Sequence, residues 1–215
     1  MKTEILINKL FTLLDEWRNL PAYQLERRAD IFFALYLPKI MKQKFGVDIE
    51  HIIPEFPVRK GTVNSGEKLE YQNRSFKIDY VAVSEKTNTV YLIELKTDDT
   101  SRREKQDQDL NSAKNANITN LIDGVLKICQ ATSSKKKYEN LLSLLSTIGW
   151  IDEDLKTNKS HDYDIEIIYI QPNSIQSENT IISFDEIVSF LSKEEDILTK
   201  RFVKSLIEWK TNPNR

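Results

Sequence analysis

The stretch RSFKIDYVAVSEKTNTVYLIELK, residues 74–96, decides the fold. Its two halves, Arg74 to Val83 and Thr89 to Lys96, are rich in β-branched and aromatic residues. The polar run Ser84-Glu85-Lys86-Thr87-Asn88 separates them, which is the pattern of a β-hairpin. Period-two alternation puts Phe76, Ile78, Tyr80 and Ala82 on one face and Lys77, Asp79, Val81 and Val83 on the other. In the second half Val90, Leu92, Glu94 and Lys96 share a face, opposite Tyr91, Ile93 and Leu95. Both faces are apolar near the turn, so these strands are expected to be central and buried on two sides. A tight closure on Lys86-Thr87 pairs 83 with 90 and 81 with 92, and sets Asp79 opposite Glu94.

Upstream of the hairpin, Ile5, Leu6, Leu10, Leu13, Leu14 and Trp17 repeat at helical spacing and predict an amphipathic helix over 3–18. A second helix starts at about Ala22 and turns Leu25, Ala29, Phe32, Phe33, Tyr36 and Leu37 inward. Pro38 is expected to kink or restart it, and Gly46 to stop it. Pro54, Pro57, Gly61 and Gly66 break up residues 47–73, where one or two strands and a loop are expected. Downstream, a helix is expected from Ser101 to about Thr132, with Asp98, Asp99, Thr100 and Ser101 as candidate caps. Another spans Tyr138 to Ile148 and stops at Gly149. A strand over Tyr163 to Gln171 closes at Pro172-Asn173, and helices over Phe184 to Leu191 and Ile197 to Trp209 end the chain. This order predicts an α/β chain, a central mixed sheet flanked by helices.

The composition agrees. The chain has 215 residues, 40% hydrophobic and 30% charged, with 31 basic against 33 acidic side chains and a net charge of −2. That is enough apolar surface for one sizeable core, and a single domain over 1–215 is expected. The longest unbroken apolar run, Ile31 to Leu37, is far below the roughly 18 residues a membrane-spanning helix needs. Glu4, Lys9, Asp15 and Glu16 interrupt the N-terminal apolar pattern, which is unlike a secretion signal, so a cytoplasmic location is expected. A lone cysteine, Cys129, excludes an intramolecular disulfide, and His51 and His161 are too few for a zinc finger. Any metal must therefore be held by oxygen. Near-neutral charge decides nothing about nucleic acid, because a basic face can be offset elsewhere.

Two carboxylates opposed on a half-buried face repel, and burying either without a partner costs several kcal/mol. Something positive belongs between Asp79 and Glu94. Lys96, on the face of Glu94, is one source of charge; a divalent cation such as Mg²⁺ or Mn²⁺ is another. Cations of this kind bind phosphate oxygens, which suggests phosphodiester chemistry.

Asp79, fourteen intervening residues and then Glu94-Leu95-Lys96 resembles the signature of the PD-(D/E)XK nuclease superfamily. Members often carry a further Glu on a helix before the hairpin, and Glu26 in Tyr23-Gln24-Leu25-Glu26-Arg27-Arg28 matches that placement. Ile78 replaces the proline of the name, a departure that does not touch the ligands. The resemblance implies a restriction-endonuclease-like core over about 22–172, with accessory helices over 3–18 and 184–209. It implies that Asp79, Glu94 and the Leu95 carbonyl bind Mg²⁺ or Mn²⁺, and that Glu26, Asp79, Glu94 and Lys96 serve hydrolysis. Lys96 would neutralise developing charge rather than act as base, since an ordinary lysine amine is protonated at neutral pH. The expected function is a Mg²⁺-dependent nuclease acting on DNA. The alternative is a catalytically inactive nucleic-acid-binding or protein-interaction module on the same fold.

Plainer readings stand beside these. Glu94 and Lys96 could be a solvated strand end, Asp79 an acid paired with Lys77 or Lys96, and Glu26 an exposed helix residue. Asp98 reads more simply as a helix cap than as a ligand. Arg102, Arg103, Lys105 and Gln106 open a helix that could receive phosphate, or form one solvated face with Glu104, Asp107 and Asp109. Lys135-Lys136-Lys137 carries the same two readings. Neither the preferred sequence nor the oligomer follows, and a homodimer is among the states the sequence permits.

Overall fold

The computed structural model describes residues 2–64, 66, 68–98, 103–158, 162–174, 177 and 179–211. Five strands form one mixed sheet in the order β1-β2-β3-β4-β5: β1 His51–Arg59, β2 Ser75–Ser84, β3 Thr89–Leu95, β4 Asp164–Gln171 and β5 Thr180–Ser183. The pairs β1/β2 and β2/β3 are antiparallel, and β4/β5 is parallel. The hairpin closes as the alternation predicts, with Val83 opposite Val90 and Val81 opposite Leu92. Every residue of β3 is buried.

The chain divides into two compact units. One draws on the described residues within 49–93 and 103–167. Here β1 pairs along β2, and α4 (Glu104–Ala131) packs on β1 and on the short α3 (Lys60–Val63). A single β1 spans the two prolines at 54 and 57, which an outermost strand tolerates because its missing amides need no ladder partner. Its pairing with β2 steps from Pro54↔Tyr80 to Phe56↔Ile78 and skips Glu55 and Asp79. Glu55 has left the extended conformation, with φ 52°, and its carboxylate pairs with Lys77.

Helix α4 differs from expectation in two ways. It begins at Glu104 with Arg103 at the cap position and no side-chain cap, so Asp98 does not cap it; residues 99–101 lie outside the described residues. It also breaks at Asn117, where φ is 60° and ψ 164°, and the Asn117 side chain accepts the Asn120 amide 3.0 Å away to cap the second half. Beyond it come a 3₁₀ turn over Lys135–Tyr138 and α5 (Glu139–Thr147), ended by Gly149 at φ 80°.

The other unit draws on the described residues within 1–48, 94–102 and 168–215. It holds α1 (Lys2–Trp17), α2 (Glu26–Phe45), α6 (Phe184–Leu191) and α7 (Ile197–Thr211). Phe202 of α7 is its hub: the ring stacks on Tyr36 at 5.3 Å and meets Phe33 edge-on at 5.2 Å, with Phe11, Phe32 and Trp209 around it. α2 starts later than expected, because Ala22 adopts φ 61°, and it runs unbroken through Pro38 to a left-handed Gly46. Leu37, Ile40 and Met41 bury around that proline, and their packing offsets its cost of about 3 kcal/mol. The four-residue β5 was not foreseen. It leads directly into α6 through a capping box between Ser183 and Glu186.

α1 packs on α7 through Phe11, Leu14 and a buried polar cluster. Asp15 accepts from the Arg201 guanidinium and, at 2.8 Å, from the Trp209 indole, while Arg201 also donates to Ser205. Arg18 donates to the Trp209 carbonyl at 3.1 Å. Charges this deep persist only when paired and hydrogen-bonded.

Candidate functional site

The end of β3 turns from apolar to charged without leaving the interior. Glu94 is 2% exposed and Lys96 4% exposed, so the solvated strand end is overturned. The Lys96 amide donates to the Ile170 carbonyl of β4 at 2.8 Å, which holds the lysine in place just past the strand. Its ammonium then donates to a Glu94 carboxylate oxygen at 2.8 Å and to the Leu95 carbonyl at 3.0 Å. Leu25, Ala29 and Phe33 bury one stripe of α2, and Glu26 lies at the edge of that stripe, half-buried on the first turn. A carboxylate oxygen of Glu26 comes to 3.8 Å from the same ammonium.

Three oxygen-bearing groups thus surround one positive charge. The arrangement is costly to build. Each ion gives up several kcal/mol of hydration, and only close, hydrogen-bonded pairing offsets that. Such expense in a strand interior marks a candidate functional site, because structure alone could be served by another apolar pair.

The remaining expected residues fall elsewhere. Asp79 is half-buried in β2, in the unit that holds residues 49–93. It immediately precedes Tyr80, whose partner is Ile93, and Glu94 immediately follows Ile93. Lys77 of the same strand pairs with Glu55. Arg103 and Lys105 are exposed at the start of α4, Lys105 pairing with Asp109 at 3.6 Å, and Gln106 is half-buried. Arg102 lies outside the described residues. Lys135, Lys136 and Lys137 are exposed in their 3₁₀ turn.

Asp98 has a role that sequence reasoning missed. Burial pushes the Arg18 guanidinium below its ordinary pKa, and Glu208, Asp15 and Asp98 each act against that by favouring its charge. The only signal for Asp15 and Arg18 was their place on the apolar side of the helix expected over 3–18. Burial also pushes the pKa of the Cys129 thiol up.

For a metal, the donor set is the relevant test. Among the described residues no group of three or more His, Cys, Asp or Glu side chains stands together. Yet Glu94 and the Leu95 carbonyl, two of the donors that the resemblance names, already converge on a single cationic nitrogen. Carboxylate and carbonyl oxygens are the ligands that Mg²⁺ and Mn²⁺ take. Oxygen donors of the kind such a cation takes are therefore present, and the Lys96 ammonium engages both of them.

No protein-family model, curated protein or solved structure matches this chain. The family resemblance therefore stands on Asp79, Glu94, Lys96 and Glu26 themselves. No helix among the described residues is long and apolar enough to cross a membrane.

Proposed function

We propose that this chain is a Mg²⁺-dependent nuclease of the restriction-endonuclease-like, PD-(D/E)XK type, acting on DNA. The observation that carries the proposal is the buried Glu94–Lys96 pair with Glu26 beside the same ammonium. In the proposal Asp79 is the second carboxylate ligand, as the resemblance implies. Asp79, Glu94 and the Leu95 carbonyl would hold Mg²⁺, which when bound supplies Lewis acidity and lowers the pKa of a ligated water.

The chain's own residues do the rest. Glu94 holds the Lys96 ammonium in a fixed, largely dehydrated position, where its charge is worth more than in water. A water oxygen would attack phosphorus, losing its proton to bulk water, as the bond to the leaving oxygen breaks and that oxygen takes a proton from solvent. Lys96 offsets the negative charge that builds on the phosphoryl oxygens, and it needs no reorganisation to do so. Glu26 keeps Lys96 from collapsing wholly onto Glu94, and it adds a carboxylate able to orient water.

The test is cleavage of plasmid and linear DNA. Cutting is expected with Mg²⁺ or Mn²⁺ and not with Ca²⁺ or chelator, because Ca²⁺ lacks the tight octahedral geometry that aligns the water. Lys96→Ala should lose at least about a hundredfold in rate, the scale of one electrostatic stabiliser. A purified wild-type chain that binds DNA and never cuts it, with either ion, refutes the proposal in favour of the inactive binding module.

A further inference from the structure

Helix α1 has a second apolar side that the described residues leave largely exposed, with Leu13 half-buried. Its inner side, Phe11 and Leu14, packs on α7. Leu6, Leu10, Leu13 and Trp17 follow one another at spacings of four, three and four residues, the heptad seam of a coiled coil. Leu6 is 66%, Leu10 43% and Trp17 44% exposed. The Trp17 ring meets Tyr23 edge-on, with ring centroids 6.2 Å apart. A helix that needed only to cover α7 would carry polar residues here.

We propose that this seam pairs with α1 of a second copy of the chain, antiparallel, across a two-fold axis. Reversed against itself, the seam is self-complementary: Leu10 meets Leu13 of the second copy, and Leu6 meets its Trp17. The flanking positions decide the partner and the direction. Lys9 and Glu16, both exposed and seven residues apart, occupy the same heptad position on one side of the seam. Among the described residues neither side chain has an ion-pair partner within the chain.

In the antiparallel register Lys9 of each copy faces Glu16 of the other, giving two equivalent ion pairs. A parallel pairing would instead set Lys9 against the buried Leu14 side and leave both charges without a counterpart. The helix is already formed and held by α7, so the nucleation cost that makes short isolated helices marginal does not fall on the interface. A closed two-fold contact uses the same patch twice and leaves no seam open. None of these residues belongs to the candidate site, so this proposal and the nuclease reading can fail separately.

The experiment is sedimentation velocity of the full chain from sub-micromolar to high micromolar concentration, with melting curves to check each variant. The wild type is expected to pass from monomer to dimer. Leu10→Glu buries a charge in both central layers and should weaken the dimer at least about 100-fold, with an unchanged melting curve of the monomer. Lys9→Glu sets like charges together twice and should weaken it about tenfold. The reversal Lys9→Glu/Glu16→Lys should restore wild-type association. A wild type that stays monomeric throughout, a dimer indifferent to Leu10→Glu, or a double reversal no better than Lys9→Glu would each overturn the proposal.

Discussion

Replacing Lys96 by methionine removes the ammonium while keeping most of its volume. Glu94 is then left buried, and its carboxylate and that of Glu26 both lose the cation they share. Breaking a buried pair from one side costs about 3–5 kcal/mol. The lower figure applies here, because the Glu26 side chain is 31% exposed and water can reach that flank. For a chain of this size about 3 kcal/mol corresponds to a melting temperature lower by roughly 6–12 °C. Glu94→Gln/Lys96→Met should recover most of that loss, since a neutral pair of similar volume often matches a buried ion pair.

Divalent metal then separates a structural ion pair from a cation seat. In the variant the Glu94 and Leu95 oxygens no longer carry an ammonium, whose positive charge opposes a dication beside it. Mg²⁺ should therefore raise the variant's melting temperature by more than the wild type's, approaching about 2.7 kcal/mol when free Mg²⁺ is a hundred times its dissociation constant. Melting curves of wild type, single and double variants, each in chelator and in Mg²⁺, read all of this. If Lys96→Met melts with the wild type in chelator, the pair does not sustain the core. If Mg²⁺ leaves the variant unmoved, these oxygens do not hold a cation.

Glu26→Gln keeps shape and removes charge; we expect a large loss of cleavage rate with little change in melting temperature, and full activity would return Glu26 to an ordinary helix surface. Burial pushes the Glu186 carboxyl up, but hydrogen bonds from Lys44 and from the Ser183 amide and hydroxyl outweigh this and hold it below its usual value. A lowered folded pKa means stability that is present above the ordinary carboxylate range and lost as pH falls through the folded value. Glu186→Gln should accordingly flatten the acid side of a stability-against-pH curve, and an unchanged acid limb would refute the assignment. Asn117→Gly should stabilise by about 1 kcal/mol in denaturant melts, since φ 60°, ψ 164° is glycine's territory and glycine caps nearly as well; a destabilised variant would mean the side chain outweighs the backbone strain.

The hairpin was legible because its contacts are local. Alternation and a polar turn between 84 and 88 leave one register that buries both faces, and the structure adopts it. The terminal helices were equally readable, with Phe184–Leu191 matching residue for residue, because a helix's period and caps are written along one short segment. Charge placement was readable only in part. The chain states that Glu94 and Lys96 share a strand face; whether water or protein covers that face depends on β4, which supplies the Ile170 carbonyl from far along the sequence.

Tertiary structure alone decided the rest. The four residues of β5 carry too little pattern to be told from a loop, and they become a strand because β4 offers them an edge. Pro38 reads as a helix breaker, yet burial of Leu37, Ile40 and Met41 carries α2 through it. Asp15, Arg18 and Arg201 look like surface charges and lie buried together, because pairing between α1 and α7 offsets their lost hydration. Glu26 meets Lys96 only through the packing of α2, a juxtaposition between distant residues that no local period encodes.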